Sequence, residues 1–545
     1  MASQSSNDEF KVSGNLIDIH QGSIYPAEVL VKNKKIVRID RVNRKYNNYL
    51  LPGFIDAHIH IESSMLPPSE FARIAVVHGT VATVSDPHEI ANVLGVKGVE
   101  YMLADSKKVP FKFYFGAPSC VPATNFETSG ASIGVKETDY LLKKKEIYYL
   151  SEMMNYPGVI NKDKQVLAKI NLSKKYRKPI DGHAPGLTGP PLKKYIRAGI
   201  TTDHESYHLN EALEKIKLGM KIIIREGSAA KNFRVLHPLI KKYPLLSMFG
   251  SDDKHPDELH TGHINLLVKR ALDLGYDLID VLRIASLNPV NHYRLDVGQL
   301  RVGDWADFIV IDNLKNFRVI STYINGSLVS KNGRSQIKRI KPKILNRFEI
   351  LPKKISDFRF PSQHNKIKAI VTLDGQLITK YEEVVLLSEN GSLIPDPLRD
   401  ILKITVVNRY ADKKPAVAFI KNFGLKNGAI ASSVAHDSHN IIAVGTNDAD
   451  LVLAVNGIIR NKGGLSLVSN GHLQVLPLTI GGLMSHLPAS EVAAKYHQLD
   501  YLAKKLGSKL SAPFMTLSFM ALLVIPHIKL SDIGLFDADL FHLIN

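Results

Sequence analysis

The chain has 545 residues, 45% of them hydrophobic and 22% charged, so it can bury a sizeable core and is long enough for about two to four domains. Its one cysteine, Cys120, excludes an intrachain disulfide and the cysteine-rich zinc folds. The net charge of +18 is spread over short lysine groups, and the densest basic stretch is "QIKRIKPKILNRFEILPKK". Because that stretch lacks the interleaved aromatic residues of single-strand binders, we interpret it as a connecting segment rather than a nucleic-acid surface.

Two stretches bear on cellular location. The first residues, "MASQSSNDEF", are polar and lack the apolar core of a secretory signal. The longest apolar run, "FMALLVIP", is too short to span a bilayer. We therefore expect a cytoplasmic protein without a membrane or nucleic-acid partner. We also expect a homo-oligomer, of a size that the sequence does not define.

The middle of the chain predicts an α/β fold. Residues 10–50 contain short strand-like runs broken by turn residues. From residue 51 to about residue 290, short apolar runs alternate with helical stretches such as "LNEALEKIKLGM". The runs of strand character are "GFIDAHIH", "TVATVSDPHE", "KFYFGAPSC", "IYYLSEMMN", "PIDGHAPG", "ITTDHES", "KIIIREGS" and "LLSMFGSDD". Eight strands that alternate with helices predict a (β/α)₈ TIM-like barrel.

The domain limits follow from these changes in pattern. We predict the barrel over residues 51–295. The β-like runs of residues 1–50 and 296–345 are expected to pair in a small β-sandwich formed from both flanks of the barrel. Strand-like and helical runs are mixed over residues 346–545, which predicts an additional C-terminal α+β domain.

The ends of the predicted barrel strands carry metal-ligand side chains. The first run ends in His58 and His60, and residues i and i+2 of a strand point to the same side, so their two imidazoles converge. Other runs end in polar residues of the kind that bind zinc, manganese or iron, namely Glu152, His183, His204 and Asp252. Barrel active sites are built on this face.

The number of candidate ligands favours two metals. A single strand-end histidine is more often a hydrogen-bonded structural residue, but a set drawn from five strands favours a metal site. One catalytic metal takes about three protein ligands, whereas two metals about 3.5–4 Å apart share a bridging group. Glu152 is the natural bridge. Asp86 in "SDPHE" and Glu226 in "REGS" are weaker candidates for a supporting contact, a substrate contact or a helix N-cap.

At these residues the chain resembles the amidohydrolase superfamily and, more narrowly, the bacterial and archaeal adenine deaminases. The motifs that carry the resemblance include "PGFIDAHIHIESSM", "DPHEIANVLG", "EMMNYPGV", "DGHAPGL", "DHESY" and "SDDKHPDELHTGHI", and it extends into the C-terminal region through "SVAHDSHNIIAVG". The resemblance implies a barrel, a small β-sandwich and an adenine deaminase C-terminal domain. One departure is Gly250, where the family usually has a cysteine beside the site.

The resemblance also implies a reaction and its residues. Adenine and water would give hypoxanthine and ammonia, in purine salvage or catabolism, through a hydroxide activated by two divalent ions, manganese or iron. The metal ligands would be His58, His60, His183, His204, the bridging Glu152 and Asp252. We expect Asp252 or Glu152 to move the protons. Asp253 is expected to face away, because neighbouring strand residues point to opposite sides. Substrate contacts are assigned by position alone to Arg225, Glu226 and Ser228.

Other hydrolases and a binding protein remain alternatives. Dihydroorotase- and hydantoinase-like enzymes share the HxH pair but usually bridge their metals with a carboxylated lysine on strand four. Here that strand ends in "YYLSEMMN", with Glu152 and no lysine. A non-catalytic protein on the same barrel would be expected to have lost ligands.

The segment "AHDSHN", residues 435–440, is the last candidate. His436 and His439 could belong to a second metal site, or to a loop that covers the barrel mouth and contacts the substrate or a metal ligand. A plain turn is equally compatible, because Asp437, Ser438 and Asn440 favour turns and caps.

Overall fold

The first described strands form a meander. The computed structural model describes residues 9–228 and 230–544, so most of the polar "MASQSSNDEF" start lies outside it. The strands are β1 (Glu9–Asp18), β2 (Ser23–Lys32), β3 (Lys35–Arg41) and β4 (Tyr49–Pro52). β1 pairs antiparallel with β2, and β2 with β3. Leu16, Val29 and Val31 are buried on one face, as the period of two along a strand requires.

Eight parallel strands follow within the described chain, at the positions the sequence predicts. They are β5 (Phe54–Ile59), β6 (Thr80–Ser85), β7 (Lys112–Ala117), β8 (Ile147–Met153), β9 (Ile180–Gly182), β10 (Thr202–Asp203), β11 (Lys221–Arg225) and β12 (Ser247–Gly250). β5 to β9 form one ladder and β10 to β12 another. A parallel bridge between Ile59 and Asp252 joins the last strand to the first, so the strands curl into a TIM-like barrel.

Helices connect and cover the barrel strands. They are α1 (Pro68–Ala75), α2 (His88–Leu94), α3 (Val96–Ser106), α4 (Val135–Lys143), α5 (Tyr156–Ile160), α6 (Lys164–Lys175), α7 (Gly189–Arg197), α8 (Leu209–Lys217), α9 (Phe233–Leu236), α10 (Pro238–Lys242), α11 (Pro256–Thr261), α12 (Ile264–Asp273), α13 (Leu278–Leu282) and α14 (Asn288–Tyr293). Each longer helix buries one stripe; in α8 the stripe includes Ala212 and Ile216. None of the helices in the described ranges combines the length and apolarity needed to cross a membrane.

The two flanks of the barrel meet in one sheet. The second flank supplies β13 (Phe308–Ile311), β14 (Val319–Ile324), β15 (Ser327–Lys331) and β16 (Arg334–Ser335). β4 pairs with β1 on one side and with β13 on the other, so strands from both flanks lie side by side. The hydrogen bonds link all eight flank strands into a single sheet. The basic stretch, residues 336–354, then runs without helix or strand, as a connecting segment should.

The C-terminal domain is α+β. Its strands are β17 (Lys366–Val371), β18 (Lys380–Val385), β19 (Ser388–Glu389), β20 (Ser392–Leu393), β21 (Ile401–Val407), β22 (Ala416–Lys421), β23 (Ala429–Ser432), β24 (Ile441–Gly445), β25 (Gly464–Ser469), β26 (His472–Pro477), β27 (Ile528–Leu530), β28 (Leu535–Asp537) and β29 (His542–Leu543). Its helices are α15 (Asp448–Asn461), α16 (Ala489–Lys505) and α17 (Pro513–Phe519). The central sheet has the order β18-β17-β22-β21-β24-β23-β25-β26.

This domain docks on the carboxyl ends of the barrel strands. α16 packs against α1 and α11, which follow the first and last barrel strands. The backbone N–H of Ala489 at the start of α16 donates to Glu70 Oε2 at 3.0 Å. The C-terminal domain therefore lies over the barrel face where the predicted ligands are placed.

Candidate metal centre

The HxH pair lies buried at the end of β5. His58 is 1% exposed and His60 is 3% exposed, and their ring centroids are 5.0 Å apart. His60 Nδ1 lies 3.1 Å from the backbone carbonyl of Asp86, which can only accept. Nδ1 therefore carries the proton, and Nε2 is left with a lone pair. A backbone carbonyl that fixes a histidine tautomer in this way is typical of metal ligands.

Glu152 joins the two pairs of histidines. Its Oε1 lies 3.4 Å from His60 Nε2. Its Oε2 lies 2.9 Å from His183 Nδ1 and 3.0 Å from His204 Nε2. The position between the pairs is the one that a bridging carboxylate requires.

Asp252 faces the HxH pair from the last strand. Its Oδ1 lies 3.3 Å from His58 Nε2 and 3.3 Å from His60 Nε2. The Asp252 backbone N–H donates to the His58 carbonyl at 2.8 Å, which ties the end of the barrel to its beginning. The structure thus brings all six predicted ligands to one place.

The donor set fits a divalent metal. Both ring nitrogens of the buried His58 lack a hydrogen-bond partner among the described residues, as does His204 Nδ1. The His58 and His204 rings are stacked with centroids 3.9 Å apart. Buried polar atoms are normally paired, so nitrogens that stay unpaired beside carboxylates are suited to bind a cation. The groups that could hold one include His58, His204 and Asp252, and also Glu152, His183 and His204.

A buried ion pair that the sequence analysis did not predict lies beside the centre and contacts Asp252. Arg225 Nη1 contacts Asp252 Oδ2, and its two terminal nitrogens donate to the Glu205 carboxylate at 2.5 and 2.8 Å. Burial alone would raise the pKa of Asp252, but Arg225 and the neighbouring histidines hold that pKa well below its usual range. Arg225, which was assigned to the substrate by position, contacts Asp252 and also lines the cavity at the centre. Glu205 stands next to His204 in "DHES", and that adjacency was the available signal.

The end of β6 supplies two further residues that the sequence analysis did not select. His88 Nδ1 lies 3.0 Å from Asp86 Oδ2 and 3.4 Å from Glu152 Oε1. Glu89 is 2% exposed and lines a cavity that His60, Glu152 and Asp252 also line. Asp86 itself was a weaker candidate, and the structure brings it to the centre through His60 and His88.

Asp253 does not face away from the site, so that expectation was wrong. It is 8% exposed and lines the cavity, and Ser63 Oγ donates to its Oδ1 at 2.5 Å. β12 ends at Gly250, and Asp252 has a φ of 55°, in the left-handed region. The alternation of side chains along a strand therefore stops before the acidic pair.

Glu226 and Ser228, which were assigned to the substrate by position, lie outside the cavity at the metal centre. Glu226 Oε2 is 3.2 Å from Arg270 Nη1, in a separate pocket beside the barrel. Ser228 Oγ donates to Glu258 Oε2 at 3.0 Å. Neither residue lines the cavity at the metal centre.

The C-terminal domain supplies part of the lining of this cavity, which has a volume of about 30 Å³. His436 and Asp437 line it together with an apolar wall. The wall comprises Leu377, Phe519 and Leu522, with Met154 from the barrel. His439 lies behind His436 and contacts Glu89 through its Nε2. The segment "AHDSHN" is therefore placed at the barrel mouth and covers the site.

Comparisons with known proteins agree with this architecture. The amidohydrolase family profile matches residues 49–329, and the adenine deaminase C-terminal domain profile matches residues 376–542. The chain is similar to the adenine deaminase of Sulfurovum sp. (strain NBC37-1), at 58% identity over 98% of this chain and 99% of that protein. Adenine deaminases of Salinibacter ruber and Methanosarcina mazei are 54% and 51% identical over 98% of this chain. They are covered over 98% and 99% of their own lengths.

The chain belongs to the adenine deaminase family. Membership confirms the resemblance seen in the sequence motifs, and it makes the protein an amidohydrolase-family hydrolase whose fold implies divalent metal ions. Strand four of this chain ends with Glu152, which lies between the two pairs of histidines. The lysine expected of a dihydroorotase- or hydantoinase-like enzyme is not found there.

Proposed function

We propose that the protein hydrolyses adenine to hypoxanthine and ammonia. The observation that carries the proposal is the position of Glu152 between two histidine pairs, in a chain related over nearly its whole length to proteins named adenine deaminase.

Two metal ions are the cofactors in this proposal, with manganese or iron as the working metal. His58, His60 and Asp252 would hold one ion, His183 and His204 the other, and Glu152 would bridge them. When bound, such ions lower the pKa of water from 15.7 toward about 7 and so supply a nucleophile at neutral pH. The chemistry of imidazole and carboxylate donors supports manganese, iron or zinc alike.

Asp252 is the proposed proton carrier. Arg225 keeps its carboxylate ionised, so it can accept a proton from the attacking water and deliver it to the departing amine. Its Oδ1 faces the HxH pair, where the reacting carbon C6 would be held. Glu152 is the alternative carrier, but both of its oxygens face histidines.

The C-terminal domain completes the substrate site. Phe519, Leu377 and Leu522 offer apolar surface for the faces of a purine. A closed roof also excludes water and strengthens the electrostatic interactions inside. We further propose the domain division 1–50 with 296–345, 51–295 and 346–545, and a homo-oligomeric assembly.

Ammonia release from a panel of adenine, adenosine, guanine and cytosine tests the function. Metal-stripped protein receives manganese, iron or zinc in increasing amounts, and we expect adenine turnover to become maximal at two equivalents per chain. Maximal turnover at one equivalent would contradict the binuclear centre, and turnover of dihydroorotate or hydantoin without adenine would favour the other cyclic-amide hydrolases.

A further inference from the structure

A carboxylate of the barrel lies between two histidines of the C-terminal domain. Glu89 Oε1 is 2.6 Å from His436 Nδ1, and Glu89 Oε2 contacts His439 Nε2. Glu89, His436 and His439 are 2%, 4% and 0% exposed. The residues belong to different domains, so this contact fixes the roof on the barrel.

The geometry around His439 argues against a third metal at this position. The backbone N–H of Ala435 donates to His439 Nδ1 at 3.3 Å, so Nδ1 holds a lone pair. In a neutral ring the proton then lies on Nε2, which donates to Glu89. Burial lowers the pKa of His439 to about 4, which is consistent with the neutral ring. A metal would need the Nε2 lone pair, and that tautomer would set two N–H groups against each other at Nδ1.

His436 lines the cavity beside the metal centre. Its ring is stacked on Phe519 at a centroid distance of 4.6 Å, and its backbone N–H donates to the Ser518 carbonyl at 3.2 Å. The ring nitrogen that faces Glu89 is Nδ1, so Nε2 is the nitrogen left for another partner. Burial would lower the pKa of His436, but the charge of Glu89, with Asp253 and Asp437, raises it to about 9. At neutral pH Nε2 is therefore a donor.

We propose that His436 binds the substrate by donating its Nε2–H to the ring nitrogen N3 of adenine, and that Glu89 is the residue that positions it. The inference rests on the proposed function. It assigns to the C-terminal domain a direct contact with the substrate, in addition to covering the site.

The choice of N3 follows from where the base must lie. In the proposed reaction C6 lies at the metal centre. N1 is bonded to C6, and N7 is bonded to C5, the neighbour of C6. Both nitrogens therefore belong to the inner part of the site. In free adenine the 9H tautomer carries a proton on N9, which therefore cannot accept. N3 lies opposite C6 in the six-membered ring, so it is the ring acceptor farthest from the reacting carbon, and His436 is a residue of the roof that lines the cavity.

Substrate analogues that lack one ring nitrogen test the contact. We compare wild type and His436→Ala with adenine, 3-deazaadenine and 7-deazaadenine, using kcat/KM or, for an analogue that does not turn over, its inhibition constant. A hydrogen bond from a charged group contributes about 1.5–3 kcal/mol, so His436→Ala should lose about 10- to 150-fold with adenine. The loss should persist with 7-deazaadenine and fall below about threefold with 3-deazaadenine. An equal loss with all three bases would overturn the proposal.

Three further variants separate positioning, folding and metal binding. Glu89→Gln should show the same pattern as His436→Ala, with a loss of activity on adenine and 7-deazaadenine and little loss on 3-deazaadenine, because His436 is no longer held in place. His436→Gln retains a donor and should recover part of the activity with adenine. His497→Ala, at an exposed histidine of α16, should match wild type with every base.

Metal content should stay equal in wild type and His439→Ala; loss of one equivalent in that variant would indicate a third metal and overturn the assignment. Failure of wild type to deaminate adenine would refute the proposed function instead.

Discussion

Arg225 contacts Asp252 on the carboxylate oxygen turned away from the HxH pair. Arg225 Nη1 approaches Oδ2, while Oδ1 faces His58 and His60 at 3.3 Å. The same guanidinium holds Glu205, whose Oε1 is 3.4 Å from His204 Nε2. One buried cation thus orients carboxylates on both sides of the centre, and it keeps the oxygen needed for proton transfer free of a proton.

Asp252→Asn should abolish turnover with little loss of metal. The amide keeps the shape of the carboxylate and an oxygen ligand, but it cannot accept a proton at neutral pH. We expect kcat to fall by at least about a thousandfold, a typical upper contribution of a general base being about 10⁴. Ammonia release and metal analysis on the same preparation measure both effects. Near-normal turnover would assign the proton transfer to Glu152.

Arg225→Met should destabilise the barrel. Removal of one partner of a buried ion pair leaves charge uncompensated, at a cost of about 3–5 kcal/mol. Here Glu205 and Asp252 would both lose their cation. Urea denaturation followed by circular dichroism should show a midpoint well below that of wild type.

An exposed ion pair provides the matched control. Arg399 pairs with Asp396 on the surface, with side chains 52% and 29% exposed. Such pairs contribute about 0–1 kcal/mol, so Arg399→Met should leave the midpoint nearly unchanged. Adding Glu205→Gln to Arg225→Met should restore part of the stability. Equal midpoints for the two arginine variants would show that the buried pair contributes no more than a surface one.

Glu152→Gln should reduce adenine turnover by several orders of magnitude and weaken binding of the metal held by His183 and His204. The amide has one oxygen, so it cannot serve both histidine pairs as the carboxylate does. Glu146→Gln, just before the start of the same strand and paired with the exposed Lys107, is the control and should behave as wild type. A Glu152→Gln enzyme that keeps two metals and normal kcat would exclude the bridging role.

Lys529 should make stability depend on pH. Its side chain is fully enclosed and donates to the carbonyls of Leu377 and Phe519, and burial lowers its pKa from 10.5 to about 7. Between these values the unfolded chain binds a proton that the folded chain lacks, so stability rises with pH in that window and the penalty is constant below it. Relative to Lys529→Met, the wild type should gain up to about 1.4 kcal/mol per pH unit from pH 7.5 to 9.5.

Urea midpoints of both proteins over that pH range measure the effect. Lys505→Met, at an exposed position of α16, controls for the loss of a lysine. Parallel curves for wild type and Lys529→Met would mean that the folded protein keeps the amine protonated over this pH range, with a pKa near its ordinary value.

The barrel and its ligands were predictable because they obey local rules. Alternation of apolar runs with helices located all eight strands, and polar residues at their ends located His58, His60 and the other four residues that the structure brings together. Family resemblance then added the roles. The pairing of both flanks was likewise predictable, since β4 and β13 are strand-like in sequence.

The remaining features depend on relations that no local pattern encodes. The left-handed backbone at Asp252 reverses the expected direction of Asp253. The alternating pattern of a strand does not show at which residue the strand ends. The ion pairs of Arg225 were not predicted because its carboxylate partners, Glu205 and Asp252, follow other strands. The contact of Glu89 with His439 joins positions 350 residues apart. Contacts of that separation follow from domain docking, which the periodicity of one sequence does not specify.

The order in which the site is assembled follows from where its parts lie along the chain. All six proposed metal ligands fall between His58 and Asp252, whereas the roof begins with Leu377 and includes His436. At about 5–20 residues per second, the roughly 180 residues between Asp252 and His436 take about 10–40 s to synthesise. The residues of the barrel are therefore all made before the residues of the roof. A metal ion that entered at that stage would meet no roof, whereas in the finished protein it would have to pass the residues of the C-terminal domain that line the cavity.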